Sequence, residues 1–107
     1  MLTKIFLTLA CAVNLTTFAQ QYDSSRYDNG KLKAEGLKRE DGSKAGEWKY
    51  YYPSGILMSR EHFKNGVLDG HIEYYYPSGI LQGREQWTNG LLEDSASYYF
   101  DNGALSR

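Results

Sequence analysis

Apolar residues in this chain come in short bursts separated by glycine. Segments of about eight residues, rich in Tyr, Trp, Ile, Leu and Phe, lie between Gly30, Gly42, Gly55, Gly66, Gly79, Gly90 and Gly103. The gaps between these glycines are 12, 13, 11, 13, 11 and 13 residues. Five of the seven follow Asn or Asp, and two follow Pro-Ser. Asn-Gly and Asp-Gly supply the positive φ that a tight hairpin needs, and Pro-Ser-Gly suits a type I turn closed by a left-handed glycine. Aromatic and β-branched segments of this length read as strands, and no interval holds a helix of ordinary length. The pattern predicts an all-β fold, a single antiparallel meander of repeated β-hairpins with about eight strands.

With three-residue loops throughout, Tyr52 faces Ile56 and Phe63 faces Val67, so even-numbered residues share one face and odd-numbered residues the other. The even face collects Trp48, Tyr50, Tyr52, Ile72, Tyr74 and Tyr76, and is expected to be the more buried. The odd face collects Tyr51, Phe63, Tyr75, Trp87 and Tyr99, diluted by Lys49, Glu61, Glu73 and Glu85. A bulge at any glycine swaps this parity locally.

The octet Tyr-Tyr-Tyr-Pro-Ser-Gly-Ile-Leu occurs at 50–57 and again at 74–81, inside a gapless repeat of period 24. Copies fall at about 24–46, 47–70, 71–94 and 95–107, the first with one inserted residue and the last truncated. Fixed self-similarity of this length marks an array of one supersecondary unit, each hairpin standing by packing on its neighbours.

Residues 1–19 have a different character. Lys4, the apolar run of 5–13 and the small residues Thr17 and Ala19 predict a secretory signal peptide cut before Gln20. The run is too short to read as a membrane span. The domain is therefore 20–107, expected in the periplasm or outside the cell with no integral membrane segment. Cys11, the single cysteine, leaves with the leader; a lipoprotein anchored through Cys11 is the alternative, opposed by Thr8 where a lipobox carries Leu.

Without Lys4, eleven basic and thirteen acidic side chains remain, a net charge of −2. That balance lacks the concentrated basic face that nucleic acid requires. Catalytic chemistry has little material: His62 and His71 fall on opposite faces under the parity above, which argues against a paired histidine site. Glu61 and Glu85, each after an arginine, read as cross-strand charge pairs rather than a carboxylate dyad. No catalytic, cofactor-binding or metal residue is assigned, and no cofactor is expected. Trp48, Tyr51, Tyr75, Trp87 and Tyr99 form the candidate binding set, because exposed aromatic rings give contact area at low entropic cost.

Tyr50-Tyr51-Tyr52 with Ser54-Gly55, the strand 57–63, then Asn65-Gly66 and Gly70 resemble the MORN repeat, in particular the variant repeats of the bacterial YwqK-like group. The resemblance covers about 24–107 and implies a non-enzymatic repeat scaffold for protein or lipid contacts. The antitoxin label of that group implies, as an alternative, an exported immunity protein that neutralises a toxin. A glycan- or envelope-binding module using Trp48, Trp87 and the tyrosines as stacking platforms is a third reading. The short strand after Gly103 and the basic residues Arg26 to Arg39 blunt the two sheet edges, so a monomer with a protein partner on its face is expected. Intact-mass measurement on exported protein should find Gln20 as the first residue and no lipid. A retained Met1 or an acylated Cys11 would overturn the leader assignment.

Overall fold

A computed structural model of the chain describes residues 20–107; the proposed leader and Cys11 lie outside the described residues. One antiparallel sheet accounts for every strand: β1 (Gln20–Arg26), β2 (Leu32–Arg39), β3 (Lys44–Tyr51), β4 (Leu57–Lys64), β5 (Val67–Leu68), β6 (Gly70–Tyr75), β7 (Leu81–Thr88) and β8 (Leu91–Tyr98). Spatial order follows chain order, with β5 and β6 forming two pieces of one strand beside β4. Beyond β8, Leu105 bridges back to Tyr99. The meander anticipated from the glycine spacing is the fold. Among the described residues no helix is long and apolar enough to cross a membrane.

Turn chemistry divides into two kinds, and this changes the register. At Pro53-Ser54-Gly55 the amide of Gly55 donates to the Tyr52 carbonyl and that of Tyr52 to Ile56, a three-residue loop. The same pattern recurs around Gly30, Gly42, Gly79 and Gly103. Asn65-Gly66 instead joins Phe63–Lys64 to Val67–Leu68 with Phe63 opposite Leu68, a two-residue loop in which φ is 52° at Asn65 and 83° at Gly66. Two successive positive φ values make the loop whose twist matches the flanking strands, and Asn tolerates the first of them.

Uniform parity is corrected accordingly. Three residues after the glycine of each Pro-Ser-Gly turn one residue drops out of the ladder: Tyr51 pairs Leu57, but Tyr50 pairs Ser59, skipping Met58. Gln82 is skipped in the same way between the Tyr75–Leu81 and Tyr74–Gly83 pairs. Each bulge swaps faces, so odd-numbered Phe63 and Trp87 join even-numbered Trp48, Tyr50, Ile72 and Tyr74. One face thereby becomes apolar and aromatic. The other keeps Glu35, Lys49, Arg60, Glu73 and Arg84 in consecutive register across five strands.

The tyrosine triplet serves three separate purposes. First tyrosines, Tyr50, Tyr74 and Tyr98, stand on the apolar face opposite the small residues Ala34, Ser59 and Gly83. Second tyrosines, Tyr51 and Tyr75, point to the charged face. Third tyrosines tie copy to copy: Tyr27, Tyr52 and Tyr76 donate their hydroxyls to the carbonyls of Tyr51, Tyr75 and Tyr99 at 2.6, 2.7 and 2.7 Å. Each such bond contributes about 1 kcal/mol and crosses a repeat boundary.

With no second layer, burial is sparse. Among the described residues the buried apolar side chains are Ala45, Trp48 (3% exposed) and Ile72 (0%). Trp48 lies flat over Gly36, where an added Cβ would come within 2.4 Å of the ring. Gly79 is a glycine for a different reason, its φ of 92° with open space around it. Thermal melts should separate the two: Gly79→Val costs about 1–3 kcal/mol through backbone strain, and Gly79→Asn recovers most of it. Gly36→Ala costs about 1–3 kcal/mol through overpacking, and Gly36→Asn is worse still. Rescue of Gly36 by asparagine would show that the ring does not rest on that backbone.

Candidate functional site

Rows of side chains run across the apolar face, perpendicular to the strands. The central row passes from Gly36, under Trp48, to Glu61, which pairs Trp48, then through Ile72 to Glu85 and Ala96. Gly36, Glu61 and Glu85 occupy equivalent places in their copies once the inserted residue of the first copy is allowed for. They meet three different surroundings. Gly36 is filled by the Trp48 ring, whose Nε1 donates to the Leu37 carbonyl at 2.8 Å.

Glu85 is caged by donors. Trp87 Nε1 donates to Oε1 at 2.9 Å, the Tyr74 hydroxyl to the same oxygen at 3.1 Å, and the Tyr98 hydroxyl to Oε2. That hydrogen bond, with burial behind it, pushes the Tyr98 hydroxyl pKa up. Glu61 has no such cage. Its hydrogen bond comes from Ser59 Oγ at 3.3 Å, and burial pushes its carboxyl above the ordinary value of 4.5. Phe63 stands where Trp87 stands in the next copy and has no N–H to offer. The Tyr50 hydroxyl is engaged by Lys44 Nζ, and the Tyr74 hydroxyl by Glu85.

Cations of the chain itself rest on the rings of this face. Lys44 Nζ lies 5.1 Å from the Trp48 and Tyr50 ring centres and 5.2 Å from that of Phe63. The Arg107 guanidinium lies 4.6 Å from the Tyr98 ring. Sequence reasoning missed both. The available signal was Lys44 aligned with Leu68 and Leu92 in otherwise matching copies, a charge where the repeat carries an apolar residue.

The opposite face holds a ladder of alternating charge. Arg60 reaches Glu47 and Glu73, each at 3.1 Å, and Arg84 reaches Glu73 at 3.3 Å. Burial works against ionisation of Glu73, but the Tyr75 hydroxyl and Arg84 together hold its carboxyl below the ordinary range. Further along, the hydroxyls of Tyr22 and Tyr51 bracket Glu35 and lower its carboxyl pKa, while burial and that carboxylate push Tyr51 up to about 12. Here lies the cross-strand charge pairing anticipated for Glu61 and Glu85. Among the described residues neither of those two makes an ion pair, because the bulges turn them to the ring-bearing face.

His62 and His71 are likewise corrected. They share the charged face and line one open groove of about 500 Å³ with Glu47, Arg60, Glu73 and Arg84. No group of three His, Cys, Asp or Glu side chains converges as a metal position among the described residues. The candidate binding set is divided between faces: Trp48 and Trp87 lie on the apolar face, Tyr51 and Tyr75 on the charged face, and Tyr99 follows their place in the repeat. Trp48 is buried against Gly36, so its ring is not available as a stacking platform.

The two glutamates should respond oppositely to neutralisation. Glu85→Gln removes a charged acceptor from three donors and should lower stability by about 1–3 kcal/mol. Glu61→Gln should leave the melting temperature at pH 7 unchanged or a few degrees higher. With a raised folded pKa, the ionised Glu61 carboxylate costs stability above that pKa and stops doing so as pH falls through it. The advantage of Glu61→Gln should therefore shrink towards zero in acid. Glu35 and Glu73, with lowered pKa values, act the other way: their contribution is complete above 4.5 and is lost as pH falls through the lowered values. Melts of both variants from pH 7 to pH 3 check this; a lower melt for Glu61→Gln at pH 7 would refute it.

The model of the MORN repeat variant matches residues 44–65 and 68–89. Each match runs from a Lys44 or Leu68 position through the tyrosine triplet and the Pro-Ser-Gly turn to the Asn of the next Asn-Gly, so the sequence period and the hairpin period coincide. No curated protein and no solved structure matches the chain. These two units are MORN repeat variants, and the copies that flank them continue the same sheet.

Proposed function

We propose that the chain is a non-enzymatic interaction module that docks a protein partner on its apolar face, and that it acts outside the cytoplasm after loss of residues 1–19. The observation that carries the docking is the single-layer sheet. Tyr50, Phe63, Leu68, Tyr74, Trp87 and Tyr98 are half-buried on one face with no second layer of described residues above them, and Leu92 is 48% exposed. A contiguous apolar patch rimmed by polar groups is the surface that association covers. Its rings are held by hydrogen bonds and by neighbouring strands, so docking orders few side chains. Support for a protein partner comes from the MORN repeat variant match, since such repeats commonly mediate protein contacts. The leader-like composition of 1–19 supports export.

A photo-reactive benzoylphenylalanine placed at Leu92 on the apolar face, or at His71 on the charged face, tests the reading in the producing cells. Position 92 should give a discrete adduct with one polypeptide and position 71 none. Adducts from position 71 alone, or equally from both, would overturn the choice of face.

A further inference from the structure

We propose that the apolar face recognises a cationic side chain, a lysine or arginine carried by the partner protein, and that Glu61 receives it. The inference deepens the interaction reading above and rests on it. Glu61 stands at the middle of the face. It pairs Trp48 across one ladder, and one step beyond the Arg60–Glu73 pair it falls opposite Ile72 on the other side; Trp48 and Ile72 are the two most buried apolar side chains. Glu61 is half-buried there, so its carboxylate gains from further donors, and it has a single long hydrogen bond, from Ser59. Glu85, at the same place one copy later, shows what satisfaction there requires: three donors from Tyr74, Trp87 and Tyr98. Glu61 lacks that set because Phe63 carries no N–H, the Tyr74 hydroxyl donates to Glu85, and the Tyr50 hydroxyl, which accepts from Lys44, makes no hydrogen bond to it.

What would complete it is indicated by the chain itself. Lys44 and Arg107 both settle over rings of this face, at 5.1 Å from Trp48 and 4.6 Å from Tyr98. Ring faces carry negative quadrupoles and attract ammonium or guanidinium groups, more strongly as water is excluded. A carboxylate among such rings adds a charge-assisted hydrogen bond to the same attraction. Lys44 does not fill the role, since its ammonium donates to the Tyr50 hydroxyl and acts on Glu61 only through its charge. The charged groove on the other face offers no equivalent opening, because Glu47 and Glu73 are already paired with Arg60 and Arg84.

The probes are two peptides, acetyl-Ser-Leu-Lys-Leu-Ser-amide and the same peptide with norleucine for lysine. Each is titrated into the full-length protein while the indole N–H resonances of Trp48 and Trp87 are followed by NMR. The lysine peptide should shift these resonances with affinity about tenfold or more above that of the norleucine peptide. Glu61→Gln should reduce it to the norleucine level without melting lower than the parent, whereas Glu73→Gln on the opposite face should keep the preference. Equal affinities, or a preference that survives Glu61→Gln, would overturn the inference. A norleucine peptide that binds the same face equally well would leave the interaction reading standing while removing the cation from it. Silence of both peptides also overturns the inference, and the interaction reading is then judged by the adduct at position 92. Resonances of Trp87 that move on dilution would name a second copy as the occupant, and those that move on deleting 1–19 would name that segment. Either result counts against a cationic partner.

Discussion

A sheet one layer thick cannot bury its rings under anything, so each ring has to lie across a neighbouring strand. Small and large residues therefore alternate along the row Ala34, Tyr50, Ser59, Tyr74, Gly83 and Tyr98, and a glycine lies under the ring that opens the central row. Trp48 covers Gly36, and Tyr98 covers Gly83, where a Cβ would meet the ring at 2.8 Å. Tyr50 and Tyr74 flank Ser59, which is buried although polar. The pattern makes stability a property of adjacent copies and not of any one hairpin.

Against that regular background the central row stands out because the same position has three occupants. Glycine under a tryptophan is a packing solution. Glutamate inside a cage of Trp and Tyr donors is a hydrogen-bonding solution. Glutamate beside Phe63, with the Tyr74 hydroxyl given to Glu85, is neither, and that difference is the basis for the cation recognition proposed for Glu61. Divergence within the repeat thus separates residues that hold the array together from one that the array leaves open.

The two faces divide labour by a related logic. Charges on one face are paired across adjacent strands, Glu47 to Arg60 to Glu73 to Arg84, and their mutual neutralisation leaves little for a partner to gain. Exposed pairs of this kind contribute modestly to stability. Rings on the other face satisfy one another only in part. Tyrosine serves both sides because its ring packs while its hydroxyl reaches a carboxylate or a carbonyl.

Turn glycines at intervals of 11 to 13 residues, Asn-Gly pairs and aromatic segments of strand length were enough to determine the antiparallel meander and its period. Those signals are local: positive φ is a property of a residue and its neighbour, and strand length is counted along the chain. The sequence also located the repeat that the family match confirms over 44–65 and 68–89. Facing was another matter. Parity along a strand is lost whenever one residue leaves the ladder, and Met58 and Gln82 leave it without any marker of their own. From those displacements and the two-residue Asn-Gly loop follow the union of Phe63 and Trp87 with Trp48 and Ile72, the sharing of one groove by His62 and His71, and the placing of Glu61 and Glu85 among rings. Only the tertiary structure could decide these, because a bulge forms where packing across strands favours it, and that packing involves residues one repeat away.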